Sequence, residues 1–187
     1  MRKSRLATIA FAAIALLSLN KAPVKAQQDT PKAAKAIIVA AQVNAKKSHR
    51  AIMILFTEST CKWCKKFDLM MARPEFKKMF DANYVVVHLD VLEGGEGVRL
   101  YENPGGRDYL KSMGGEGSGV PFYAWTDAAG KMTANSNVSP GHANLGYPAL
   151  PAQIELFMGI IKKTAPRWSA VDQKKLHDYM IANPPKF

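Results

Sequence analysis

AIMILFTESTCKWCKK, residues 51–66, joins an apolar run to a closely spaced pair of cysteines. Residues 51–56 are continuously apolar, which is typical of a short strand covered on both faces. Residues 57–60 are polar and predict a turn at the end of that strand. A helix is predicted to start at about Cys61, so Cys61 and Cys64 form a Cys-X-X-Cys pattern at a strand-to-helix junction.

This position favours a reactive thiolate at Cys61. Unpaired amides and the positive end of the helix dipole stabilise an anion at a helix start. Cys61 is therefore expected to become a thiolate more readily than a free cysteine, and Lys62, Lys65 and Lys66 add positive charge nearby. Cys64 lies three residues further along the helix and is more shielded. We expect Cys61 to attack a disulfide or thiol partner, and Cys64 to resolve the mixed disulfide by attacking the Cys61 sulfur.

Two helices and a second strand surround the motif. Thr30 and Pro31 predict the start of a first helix that continues to about Lys47. Pro74 predicts a break after the helix that carries the cysteines. Residues 84–91 are rich in valine and predict the second strand. Helix, strand, helix and strand in this order imply a parallel pair with a right-handed crossover.

The second half of the chain predicts an insertion, a hairpin and further helices. Residues 92–119 form a glycine-rich insertion that contains one predicted helix. Residues 120–126 and 131–134 flank a turn and predict a hairpin. An irregular loop is expected at residues 140–151, followed by C-terminal helices over about residues 151–182.

Residues 1–26 have the pattern of a signal peptide. Basic residues precede an uncharged, mostly apolar stretch at residues 6–19. This stretch is shorter than the roughly 20 apolar residues of a spanning helix, so no stable membrane anchor is expected. Small residues predict cleavage between Ala26 and Gln27, which leaves one domain of residues 27–187. The protein is therefore expected to be periplasmic or secreted.

Charge and length narrow the function classes. The signal peptide holds five of the 26 basic residues and none of the 15 acidic ones, so the mature chain would carry a net charge of +6. Its lysines are scattered over several segments and do not line one stripe with aromatic residues, which argues against a nucleic-acid partner. A domain of this length can bury a stable hydrophobic core without disulfide crosslinks, so the two cysteines are not needed for structure alone.

The motif and its setting resemble the thioredoxin superfamily, particularly exported bacterial members with a tryptophan before the second cysteine. The matching features are the strand of residues 52–56, CKWCK at residues 61–65, and Val120-Pro121 at the start of the hairpin. The resemblance implies an α/β fold of three layers, with a central mixed sheet flanked by helices and extended here by C-terminal helices. It also implies that Pro121 has a cis peptide bond and faces the cysteine sulfurs, leaving the backbone of Val120 open to an extended substrate.

Two departures from the superfamily pattern concern proton and electron transfer. Leu55 stands where the superfamily has a buried aspartate that helps to move the proton of the second cysteine, and leucine cannot do this. Glu58 is a candidate substitute, and the alternative interpretation is an exposed turn carboxylate. No proline lies between the cysteines, so the sequence leaves open whether the protein reduces or oxidises its partners. Trp63 is expected either to contact a client beside the sulfurs or to pack on the domain surface.

His88 and Asp90 alternate on one face of the second predicted strand, which this architecture makes central. A buried proton relay is one interpretation of the pair. A histidine with a partner near the strand end is the more common one.

Other uses of the cysteine pair fit the sequence less well. Structural disulfides are common in exported proteins, but a bridge across two residues restricts the unfolded chain little. Zinc would need two further ligands, and the four histidines show no metal spacing. A c-type haem would need histidine where Lys65 stands. We therefore expect no metal and no cofactor.

Two functional alternatives to a general thiol/disulfide oxidoreductase stay open. One is a binding module that recognises an exported partner at Pro121 without turnover. The other is a dedicated electron-transfer partner of another envelope redox protein. Thiol titration and insulin reduction would separate the binding module from an enzyme.

Overall fold

The computed structural model describes residues 30–184, so the predicted signal peptide and its cleavage site lie outside the described residues. The helices are α1 Ala34–Ser48, α2 Lys62–Met71, α3 Pro74–Asn83, α4 Gly97–Leu100, α5 Gly106–Ser112, α6 Pro151–Thr164 and α7 Ala170–Ala182. The strands are β1 Ala51–Thr57, β2 Tyr84–Asp90, β3 Phe122–Thr126, β4 Met132–Asn135, β5 Asn137–Ser139 and β6 Ala143–Asn144. Among these helices, none is long and apolar enough to cross a membrane.

The main sheet has four strands in the order β2-β1-β3-β4. Strand β1 pairs in parallel with β2 and antiparallel with β3, and β3 pairs antiparallel with β4. The sheet is therefore mixed. Its two central strands are β1, which leads into the cysteine motif, and β3, which follows Pro121.

Successive side chains of the central strands enter different cores, because side chains alternate across a strand. On one face, Met53, Leu55 and Trp125 pack with α2, α3, α6 and α7. On the other face, Ile52 and Ile54 pack with α1 and α5. All five of these side chains are fully buried. This arrangement confirms the predicted α/β fold of three layers and explains why residues 51–56 lack any polar alternation.

The N-terminal helices follow the prediction except at one boundary. Helix α2 ends at Met71, and Pro74 starts α3 at a position where the missing amide hydrogen costs nothing. The prediction that Thr30 and Pro31 begin α1 was wrong. The helix begins at Ala34 after an extended Ala33, and the Ala34 amide donates to the carbonyl oxygen of Pro104.

Strand β2 lies at an edge of the sheet, so the prediction of a central strand was wrong. His88 is exposed there, with its Nε2 2.8 Å from Asp68 of α2, and this exposure contradicts a buried relay. The ends of the outer edge are occupied. Asn103 bonds both the amide and the carbonyl of Asp90, and Arg50 donates to the carbonyl oxygen of Tyr84.

The insertion at residues 92–119 contains two short helices, α4 and α5, where one was predicted. A left-handed glycine, Gly105, precedes α5. The loop predicted at residues 140–151 is partly structured. Strands β5 and β6 form a second small sheet around a short 3₁₀ turn, which the sequence pattern did not reveal.

Candidate active site

Strand β1 and helix α2 place the cysteines at one end of the sheet. Cys61 is the N-cap of α2, and its amide donates to the carbonyl oxygen of Glu58 across the preceding turn. The amide of Cys64 donates to the sulfur of Cys61 over 3.0 Å. This amide of the first helical turn has no partner within the helix, and it is directed at the sulfur that would carry negative charge after reduction.

Cys61 and Cys64 form a disulfide with a Cα–Cα distance of 5.3 Å. Their accessibilities differ, because Cys61 is half-buried whereas Cys64 is 2% exposed. A thiol or disulfide from outside therefore reaches the sulfur of Cys61 first.

The loop before β3 completes the other side of the pair. The Val120–Pro121 peptide bond is cis, as the resemblance predicted. The carbonyl oxygen of Val120 lies 3.7 Å from the sulfur of Cys61, so Pro121 adjoins the Cys61 side of the motif. A disulfide sulfur carries no hydrogen, and the contact is a packing contact in this oxidised form. Val120 is half-buried, and Pro121 is buried.

Trp63 lies between the cysteines in sequence and packs beside them in space. Its ring stacks on Tyr147, with centroids 5.7 Å apart, and it remains 37% exposed. Partial burial raises the pKa of the Tyr147 hydroxyl, so this side chain stays neutral at physiological pH. An uncharged aromatic surface therefore adjoins the disulfide.

The two positions considered for proton transfer differ in their surroundings. Leu55 is fully buried in the core cluster that includes Phe67 of α2. The carboxylate of Glu58 accepts hydrogen bonds from the amide and the hydroxyl of Thr60, at 3.2 and 2.7 Å. These contacts tie Glu58 to the turn, which matches its alternative interpretation as a turn carboxylate.

Glu93 is a residue of the site region that the sequence analysis missed. Its carboxyl oxygens accept from the amide of Ser59 at 2.6 Å and from the Ser59 hydroxyl at 2.8 Å. The Glu93 side chain is buried, at 4% exposure, and its partner Ser59 lies two residues before Cys61. A single acidic residue in a glycine-rich segment has no periodicity to reveal such a contact.

An ion pair organises the loop that carries Glu93. Arg107 donates to both carboxyl oxygens of Glu102 and to the carbonyl oxygen of Glu93. The amide of Glu93 donates in turn to Glu102. The hydrogen bonds from Arg107 hold the pKa of the Glu102 carboxyl below its usual value, so the pair stays charged at neutral pH.

Positive charge is present at the start of α2. Lys62 and Lys65 are exposed and Lys66 is half-buried. In the part of the chain that the structure describes, no cluster of three or more histidine, cysteine or acidic side chains has the geometry of a metal site.

Fold and site together define a thioredoxin-fold protein with a disulfide-bonded Cys-X-X-Cys pair at the start of a helix. A family model described as thioredoxin-like matches residues 34–128, which is just over half of the chain. The chain belongs to this thioredoxin-like family, so the resemblance to the thioredoxin superfamily is confirmed. The family, the fold and the cysteine pair support thiol–disulfide exchange as the chemistry of the site.

The chain is similar to several solved structures at low sequence identity. A disulphide isomerase from Xylella fastidiosa Temecula1 is 16% identical with a TM-score of 0.47, and the match covers 86% of this chain and 95% of that one. A DsbH oxidoreductase is 19% identical with a TM-score of 0.45, covering 84% and 96%. A thioredoxin from Thermus thermophilus is 14% identical with a TM-score of 0.44, covering 77% and 92%. No curated protein matches the sequence.

Proposed function

We propose that this protein is a thiol/disulfide oxidoreductase for exported proteins, with Cys61 as the nucleophile and Cys64 as the resolving cysteine. The observation that carries the assignment is the asymmetry of the pair. Cys61 is the more accessible sulfur and accepts a hydrogen bond from the Cys64 amide, whereas Cys64 is 2% exposed. The amide contact and the lysines at the helix start favour the thiolate of Cys61.

The exchange proceeds in two balanced steps. In the reduced protein, the Cys61 thiolate attacks one sulfur of a substrate disulfide, which forms a mixed disulfide and releases one substrate thiolate. The Cys64 thiolate then attacks the Cys61 sulfur, which releases the second substrate thiolate and forms the Cys61–Cys64 disulfide. Two electrons have passed from the protein to the substrate. In the opposite direction, a substrate thiolate attacks Cys61 of the oxidised protein, and the reduction potential of the pair decides which direction prevails.

Val120, Pro121 and Trp63 are the proposed substrate-binding residues. Support comes from the 3.7 Å approach of the Val120 carbonyl oxygen to the Cys61 sulfur and from the partial exposure of Trp63. An extended client segment lying along Val120 would bring its own sulfur to Cys61.

Glu58 is kept as a proposed proton acceptor for Cys64, with its bonds to Thr60 as the competing structural role. Action outside the cytoplasm is proposed on the pattern of residues 1–26 and on cleavage near Ala26. In a Gram-negative host this compartment is the periplasm.

The test uses two matched serine variants, Cys64→Ser and Cys61→Ser, with insulin as the disulfide substrate. Cys64→Ser retains the nucleophile but cannot resolve the intermediate, so a mixed disulfide with the substrate should accumulate. Cys61→Ser should form no such adduct, and the wild-type protein should reduce insulin in the presence of dithiothreitol. Non-reducing electrophoresis followed by mass spectrometry identifies the bonded cysteine.

A wild-type protein that accelerates neither insulin reduction nor the reactivation of scrambled ribonuclease would contradict the proposal. Equal, slow alkylation of both reduced cysteines and the absence of a trapped adduct would do the same. That result would identify the site as a binding module.

A further inference from the structure

Residues 136–147, which we call the return segment, connect β4 to α6 and run back to the active site. The segment contains the small sheet of β5 and β6. Its last residue, Tyr147, stacks on Trp63, and its Asn144 side chain reaches the loop that contains Pro121. The return segment therefore contacts the residues that lie on either side of the disulfide, namely Trp63 and the loop of Pro121.

The Asn144 side chain makes four hydrogen bonds. Its Nδ2 donates to the carbonyl oxygens of Gly119 and Pro121, at 2.8 and 3.1 Å. Its Oδ1 accepts from the Ser136 hydroxyl at 2.7 Å and from the Gly146 amide at 3.2 Å. A carboxamide has two donor hydrogens and one oxygen with two lone pairs, so its capacity is fully used. The amide orientation follows from its partners, because carbonyl oxygens only accept and the Gly146 amide only donates.

The two carbonyls that Asn144 binds lie on either side of Val120 in the chain. Gly119 precedes Val120 and Pro121 follows it, so one side chain spans the segment whose central carbonyl oxygen is 3.7 Å from the Cys61 sulfur. A shift of this segment would change the position of the Val120 backbone relative to Cys61. Asn144 restrains that shift at both ends.

The Oδ1 atom of Asn144 is connected to the central sheet through Ser136. Ser136 is fully buried, and its hydroxyl accepts from the amide of Tyr123 in β3 at 3.1 Å. The Ser136 amide donates to the carbonyl oxygen of Tyr123, and the Tyr123 hydroxyl donates to the carbonyl oxygen of Gly146. The side chain thus connects the substrate-facing loop to a buried strand, which gives it a rigid support.

We propose that Asn144 is a positioning residue for polypeptide substrates, and this inference rests on the proposed function. It holds the backbone of Val120 next to the Cys61 sulfur, where an extended client segment would bind. A polypeptide disulfide depends on that alignment, whereas a small linear disulfide such as hydroxyethyl disulfide needs only access to the sulfur. Asn144 therefore favours protein substrates over small ones without touching the reacting atoms.

The experiment compares Asn144→Asp with Asn137→Asp in the full mature chain. Asn144→Asp keeps the accepting oxygen and replaces the donor with an oxygen that repels the Gly119 and Pro121 carbonyls. Asn137 is the matched control, because its Nδ2 donates to the carbonyl oxygen of Gly114, at the far end of the same loop. Asn144→Ala provides a variant without a new charge.

Both Asn144 variants should raise KM for insulin by about tenfold, which is the effect of losing two ordinary hydrogen bonds. Their rate with hydroxyethyl disulfide, with dithiothreitol as the reductant, should stay within about twofold of the wild-type rate, and so should both reactions of Asn137→Asp. This split between substrates is a readout that a purely structural role would not produce.

Four results would overturn the inference. Unchanged KM for insulin in Asn144→Ala would show that the loop keeps its position without the side chain. Equal losses with insulin and with hydroxyethyl disulfide would show general damage, as would equal losses in Asn137→Asp. Lack of turnover of both substrates by the wild-type protein would overturn the proposed function and the inference with it.

Discussion

Replacing Glu93 with glutamine changes the buried carboxyl group that holds the turn before Cys61. In the wild-type protein, one oxygen accepts from the Ser59 amide at 2.6 Å and the other from the Ser59 hydroxyl at 2.8 Å. Glutamine offers one oxygen and one amino group. The Ser59 hydroxyl can rotate to accept from the new amino group, so both hydrogen bonds can still form, but each then joins two neutral groups and is weaker.

The cost follows from the burial of the side chain, which is 4% exposed. A hydrogen bond to a charged group contributes about 1.5–3 kcal/mol and a neutral one about 0.5–1.5 kcal/mol. Weakening two bonds in this way should lower the free energy of unfolding of Glu93→Gln by about 2 kcal/mol. Glu93→Ala leaves the half-buried Ser59 amide without its acceptor and removes the buried side chain, so it should cost about 3 kcal/mol. Glu96→Gln is the matched control, because Glu96 lies in the same loop but is exposed, and its effect should stay within about 0.5 kcal/mol.

Urea unfolding of the oxidised proteins, followed by far-ultraviolet circular dichroism, measures these differences under one redox state. The alkylation rate of reduced Cys61 gives a second readout, and it should change in Glu93→Gln because the turn Glu58 to Cys61 is less fixed. If Glu93→Gln matches Glu96→Gln in both measurements, the bonds to Ser59 make no net contribution and the reasoning is refuted.

Two further predictions concern Trp63 and His177. Trp63→Ala should lower the free energy of unfolding by about 1 kcal/mol through lost stacking on Tyr147, and it should raise KM for insulin. Tyr147→Phe is the control, because it keeps the aromatic ring. An unchanged KM in Trp63→Ala would assign Trp63 to packing alone. The hydrogen bond that the His177 ring donates to Glu155, and then the one that it donates to Asp178, raises the pKa of His177, which links α7 to α6. A raised pKa stabilises the fold below the unfolded pKa of about 6.5, and this contribution is lost as pH rises through the folded pKa. The stability difference between wild type and His177→Gln in urea should therefore be larger at about pH 5.5 than at about pH 8.5, and a pH-independent difference would disprove the linkage.

The sequence predicted the elements that carry local patterns. The apolar run of residues 51–56 and the Cys61 to Cys64 spacing defined a strand and a helix start, and these form the centre of the fold. The cis bond at Pro121 was predicted from the superfamily resemblance, since no local pattern distinguishes it.

The residues that the sequence did not reveal depend on contacts between distant segments. Glu93 binds Ser59 from 34 positions away, and Asn144 binds Gly119 from 25 positions away. A single polar residue in a loop has no periodicity, so its partner depends on how the whole chain packs. The edge position of β2 was missed for a related reason, because the apolar character of a strand does not tell on how many sides it is paired. The one sequence feature that indicated an edge was the polar His88 within an otherwise apolar run.

The occupied ends of β2 have a consequence for the behaviour of the protein at high concentration. An unpaired sheet edge is a template on which another chain can add a strand, and this is a common route to aggregation. Asn103 bonds both backbone groups of Asp90, and Arg50 occupies the carbonyl of Tyr84. Within the described residues, Val86 and His88 lie between these two ends, so the contacts shorten the stretch of β2 on which a foreign strand could pair. These side chains thus reduce the edge open to strand addition, while the half-buried Cys61 at the end of the sheet stays accessible.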